Sequence, residues 1–93
     1  MQYLNSLSIK DNSISKIKEV AVYPNPAQNE LNITSKDFYN INKIEIFNSL
    51  GKRLISFSNY HNKIDISNLS TGLYLVNTYF IDGSIITKKL MKK

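Results

Sequence analysis

The sequence predicts an all-β protein, an antiparallel β-sandwich of about seven short strands. Three observations carry that prediction. Apolar and polar residues alternate with period two in several short runs, as half-buried strands require. Turn residues break these runs at roughly regular intervals, and Gly51, Gly72 and Gly83 all stand at such breaks. No segment of useful length repeats its apolar residues at helical spacing, which excludes an α/β layer.

Ninety-three residues suffice for one domain. A domain this small buries little more than ~60% of the surface its unfolded chain exposes, so its core is thin. That core is drawn mainly from Ile and Leu, with six Tyr and four Phe. The absence of cysteine excludes disulfides, thiolate nucleophiles and thiolate metal sites. No run approaches the ~18 apolar residues of a membrane span. The opening Met1-Gln2-Tyr3-Leu4-Asn5 has neither the basic start nor the apolar stretch of a signal peptide. Net charge is +5 and is concentrated at the end, in Lys88, Lys89, Lys92 and Lys93. Arg53 is the only arginine and no aromatics interleave with these lysines, so a solvated terminal strand explains them better than a nucleic-acid surface.

Residues 1–19 are rich in Ser, Asn and Lys with thinly spaced Leu7, Ile9, Ile14 and Ile17. They read as a linker or the tail of an upstream cargo, with weak pairing near Ile14–Lys18, and the folded domain is residues 20–93. Val20-Ala21-Val22-Tyr23 begins as a strand and stops at Pro24-Asn25-Pro26. The prolines lack N–H groups and restrict the residues before them, so Tyr23 to Pro26 are expected to be extended along a sheet edge.

Glu30 to Thr34 alternates, with Leu31 and Ile33 on one face, and Lys43 to Phe47 does likewise. Asn48-Ser49-Leu50-Gly51 is a turn with positive φ expected at Gly51. Arg53 to Ser58 returns with Ile55 and Phe57 facing away from Leu54. After a loop at Asn59–Asn62, Ile64 and Ile66 form a brief strand, and Leu69 tucks inward from a wide turn ending at Gly72. Leu73 to Ile81 is apolar on both faces, which marks a central strand. Asp82-Gly83 signals a two-residue hairpin turn before Ser84 to Met91. That turn sets Val76 opposite Lys89, and a one-residue shift sets Val76 opposite Leu90. Alternation leaves both registers open, with a bulge near Gly83 as the device that would shift the pairing.

Nothing in the chain assembles an active site. His61, the only histidine, lies in a polar turn and reads as a solvent-exposed loop residue without a serine in a nucleophile setting. The carboxylates Asp11, Glu19, Glu30, Asp37, Glu45, Asp65 and Asp82 do not cluster, and no glycine-rich phosphate loop is present. No cofactor, metal site or catalytic residue is expected.

Four pieces occur in a specific order. They are Val22-Tyr23-Pro24-Asn25-Pro26-Ala27 followed by Leu31-Asn32-Ile33, then Ile44-Glu45-Ile46-Phe47-Asn48 leading to Leu50-Gly51-Lys52. Ile64-Asp65-Ile66 running through Leu69 and Gly72-Leu73-Tyr74 follows, and Asp82-Gly83 with Lys89-Leu90-Met91-Lys92 closes the chain. From about Val20 onward the sequence resembles the type A C-terminal sorting domain of the type IX (Por) secretion system of Bacteroidetes. The resemblance implies an Ig-like seven-strand sandwich attached to the C-terminus of a secreted cargo, whose own signal peptide would lie upstream. It implies passage through the periplasm, recognition by the outer-membrane translocon, and removal at the cell surface by a sortase-like cysteine endopeptidase, with a cut expected in residues 1–19. Secretion or cell-surface display would follow, without membrane insertion and without a nucleic-acid partner.

A translocon that accepts many cargoes needs a portable and rigid surface. Tyr23, Pro24, Asn25 and Pro26 offer a stiff edge. Gly83, Lys89, Leu90, Lys92 and Lys93 belong to the closing hairpin, whose last strand is expected to be the main contact through strand addition at an exposed edge. An adhesive or carbohydrate-binding accessory sandwich is the alternative, and it calls for a platform of exposed aromatics with Tyr39, Tyr60 and Tyr79 as candidates. A nucleic-acid binder using the basic tail is a third.

Overall fold

The computed structural model describes residues 18–93; the pairing expected at Ile14–Lys18 falls almost wholly outside them. Seven strands run β1 (Ala21–Tyr23), β2 (Glu30–Thr34), β3 (Ile41–Asn48), β4 (Arg53–Phe57), β5 (Lys63–Asp65), β6 (Gly72–Phe80) and β7 (Ile85–Lys92). They form a three-stranded sheet ordered β1-β2-β5 and a four-stranded sheet ordered β4-β3-β6-β7, antiparallel throughout. This is the Ig-like sandwich, with the long two-faced strand β6 flanked on both sides as its composition demands.

Alternation decides what lies between the sheets. Leu31, Ile33 and Ile64 point in from one sheet, and Ile44, Ile46, Val76 and Leu90 from the other, each at most 2% exposed. Each such side chain stabilises the fold by roughly 1.5–3 kcal/mol relative to exposure. Ile55, Phe57 and Leu69 pack half-buried against this core, whereas Leu54, the extra residue of a bulge opposite Phe47, is left outside. Tyr74 supplies the corner found in Ig-like sandwiches, its hydroxyl donating to Ser70 O at 2.6 Å.

The last hairpin takes neither of the two expected registers. Val76 stands opposite Lys88 and Tyr74 opposite Leu90. The reason is a three-residue loop, Ile81-Asp82-Gly83, in place of the two-residue turn. Gly83 N–H donates to Phe80 O at 2.9 Å, Phe80 N–H donates to Ser84 O at 2.9 Å, and Gly83 sits at φ 92°. That is a tight turn followed by a left-handed glycine bulge. The β3–β4 hairpin is built the same way. Gly51, at φ 88°, donates to Asn48 O at 3.0 Å, and Asn48 N–H donates to Lys52 O at 2.9 Å.

Candidate functional site

The Tyr23–Pro26 segment and the end of β7, remote in sequence, meet in space. After β1 the chain bends at Pro24, Asn25 and Pro26 and does not run extended, because it crosses from one sheet to the border of the other. Asn25 then does a strand's work with a side chain. Its Nδ2 donates to Lys89 O at 3.1 Å and its Oδ1 accepts from Met91 N–H at 2.9 Å. A carboxamide carries one donor and one acceptor side, as a peptide group does, so it satisfies two groups of an edge strand at once. Two residues on, Ala27 N–H donates to Met91 O at 2.9 Å and Ala27 O accepts from Lys93 N–H at 2.8 Å. Asn32 Nδ2 reaches back to Tyr23 O at 3.3 Å and ties the segment to β2.

The residues singled out in the sequence therefore separate. Tyr23, Pro24, Asn25, Pro26, Lys89 and Lys93 are exposed and form one neighbourhood. Leu90 is wholly buried and Lys92 is 7% exposed, its Nζ donating to Lys93 O at 2.9 Å; both serve the packing. Gly83 lies at the opposite end of β7, and its role there is the bulge. The β7 edge from Lys89 to Lys93 is filled from within the chain. Alternation also divides the terminal lysines, so that Lys88 and Lys92 point to the inner side and Lys89 to the outer face.

Sequence reading missed two polar features. Glu45, 4% exposed, sits mid-strand on the outer face of the four-stranded sheet. Tyr79 OH donates to its Oε1 at 2.8 Å, Arg53 Nη1 to its Oε2 at 3.0 Å, and Lys43 Nζ stands 4.0 Å away and over the Tyr79 ring. The Tyr79 hydroxyl foremost, then Arg53 and Lys43, hold this carboxyl below its ordinary 4.5 although burial opposes them. The cluster joins β4, β3 and β6 through one carboxylate, an arrangement that clamps the three strands together. Tyr60 OH donates to Ile33 O at 2.6 Å, which pins the β4–β5 loop over β2. Burial pushes that phenol above its ordinary value, and Tyr23 adds to the rise.

His61 is half-buried, not solvent-exposed as its loop suggested: its ring stacks on Phe57 at 4.1 Å. Among the described residues no group of three or more acidic or histidine side chains is arranged to hold a metal. Tyr39 and Tyr60 are brought together through Phe38, but the ring planes meet Phe38 at 88° and 44°, and Tyr79 stands on β6 with its hydroxyl on Glu45. They make no flat platform.

Two antiparallel sheets, one of three strands and one of four, closing on a shared apolar core make this an Ig-like β-sandwich by class. The family model described as secretion system C-terminal sorting domain matches residues 21–93, from the first residue of β1 through β7. The chain belongs to that family. Membership makes it a type IX secretion sorting signal, tied to that machinery and to export to the cell surface or beyond, and the family is not itself catalytic. No curated protein shows significant similarity.

Proposed function

We propose that this domain directs a cargo joined to its N-terminal side through the outer-membrane type IX translocon and is then cleaved off at the cell surface by a sortase-like cysteine endopeptidase. Residues 1–19 are the linker and contain the cut, and residues 20–93 are the signal. The observation that supports this reading is the family match across every strand of the sandwich. Recognition falls to the exposed neighbourhood of Tyr23, Pro24, Asn25, Pro26, Lys89 and Lys93, with Gly83 setting the far end of the closing hairpin. Its backbone is held by the Asn25 and Ala27 hydrogen bonds, so its shape is the same whatever cargo precedes it.

The test is a reporter carrying a signal peptide at its N-terminus and the full 93-residue chain at its C-terminus, expressed in a Bacteroidetes host. The reporter is expected at the surface or in the medium, and in the periplasm of a strain lacking the translocon. Mass spectrometry of the surface form is expected to show a new C-terminus within residues 1–19. Equal delivery with and without the translocon would refute the sorting role.

A further inference from the structure

The outer edge of β7 divides into two halves. From Lys89 onward Asn25 and Ala27 occupy it. From Ile85 to Lys88, no described residue pairs with it. The pairing with β6 dictates which groups face out. Phe80 N–H donates to Ser84 O, and the register continues through Thr78 opposite Ile86 and Val76 opposite Lys88. Even-numbered residues of β7 thus bond toward β6, and odd-numbered ones turn their backbone groups the other way. Met91 obeys this, since its N–H and C=O go to Asn25 and Ala27. Ile85 and Thr87 therefore aim N–H and C=O out of the sheet, continuing the row that Asn25 begins.

Beside that row lies a groove lined by Lys18, Glu19, Val20, Lys36, Ile86 and Lys88, among others. Its lining sets Lys36 and Lys88 against the one carboxylate of Glu19, while the third ammonium, Lys18 Nζ, is paired with Asp82 at 3.0 Å at the groove's end. We infer that this edge and groove form a strand-docking site for the secretion machinery. An extended partner segment pairs with Ile85 and Thr87, and its Asp or Glu side chains at alternate positions face Lys36 and Lys88. This rests on the sorting role proposed above and adds a second place of contact, next to the Asn25-covered half of the edge, and the mode of binding there. A second copy of the chain fits poorly, because two such grooves would set lysine against lysine.

Two variants of the full-chain reporter fusion separate the terms. Thr87→Pro removes one outward N–H and leaves the β6 ladder intact, as proline at an edge does. Lys36→Glu with Lys88→Glu reverses the groove without touching the backbone. Both are expected to cut export about ten-fold while the wild-type fusion is delivered. Folded variants exported like wild type would overturn the docking site and leave the sorting role standing. A wild-type fusion that is not exported would overturn both. In solution, a synthetic strand-forming peptide alternating Glu with Val is expected to slow exchange of the Thr87 amide in the isotopically labelled chain, and its Lys-for-Glu twin is not. Equal effects of the two peptides, a Thr87 amide already protected in the free protein, or a dimer that Thr87→Pro dissolves would each overturn the inference. Should Thr87→Pro fail to fold, the lysine pair and the peptides decide.

Discussion

Thr78 is the single buried side chain among the described residues whose polar atom has no partner. Its Oγ1 is enclosed, and the residue is 0% exposed on the inner face of β6. Thr78→Val removes the orphan at nearly constant shape, so it is expected to raise stability by about 1 kcal/mol, read as a gain of several degrees in Tm. Glu45 is the opposite case, a buried charge with its partners in place. Glu45→Gln is expected to cost about 2 kcal/mol at neutral pH, measured by urea unfolding. The pH dependence carries the sign. Glu45 titrates below its ordinary 4.5 in the folded state, so its ionised form favours folding above that value, and the contribution fades as pH falls through the folded-state value. Wild type and Glu45→Gln should therefore differ at about pH 7, and the difference should shrink as pH falls below 4.5 and through the lowered folded-state value. Alternation marked position 45 as outward and hence polar. Its burial comes from Tyr79, distant in sequence and adjacent in the sheet.

At the scale of elements, β7 is an edge strand closed over half its length by the Asn25 side chain and the Ala27 backbone. Each Asn25 hydrogen bond contributes roughly 0.5–1.5 kcal/mol, so Asn25→Ala is expected to cost about 1–3 kcal/mol and to speed exchange of the Met91 amide, followed by NMR. An accelerated Met91 with an unchanged Leu90 would place the effect on the outer row alone. The hairpins teach a related lesson. Asp82-Gly83 is a strong two-residue turn signal, yet Ile81 joins the loop and Gly83 takes the bulge position. The earlier hairpin holds the same device, with glycine third after the last paired residue in Asn48-Ser49-Leu50-Gly51 and again in Phe80-Ile81-Asp82-Gly83. That spacing was the available signal for the register.

For the whole molecule, fold and address are hard to separate by deletion. Removing residues 82–93 would take away β7, the buried Leu90 and the strand that Ala27 borders, so lost export would report unfolding as readily as lost recognition. Point substitutions divide the two. Leu90→Ala is expected to cost about 2–5 kcal/mol, a large share of the roughly 5–15 kcal/mol of an ordinary domain, with a steep fall in Tm and export together. Lys89→Glu with Lys93→Glu, both on exposed positions, is expected to shift stability by less than about 0.5 kcal/mol while lowering export of the reporter fusion. Retained export with retained Tm would clear those lysines of a part in recognition.

By itself the sequence determined the strands, the places where most of them turn and the inward residues Leu31, Ile33, Ile44 and Ile46, because period-two burial and the backbone limits of glycine act over a few residues. It also held, in four motifs in order, enough to place the chain in its family. Only the tertiary structure decided that Asn25 closes the β7 edge, that Glu45 is enclosed by Arg53 and Tyr79, and that Lys88 stands opposite Val76 and Lys89 opposite Leu75 in a shifted register. Those contacts join residues up to 66 positions apart, and a pairing between distant segments depends on how the sheets assemble, which no local pattern of side chains specifies.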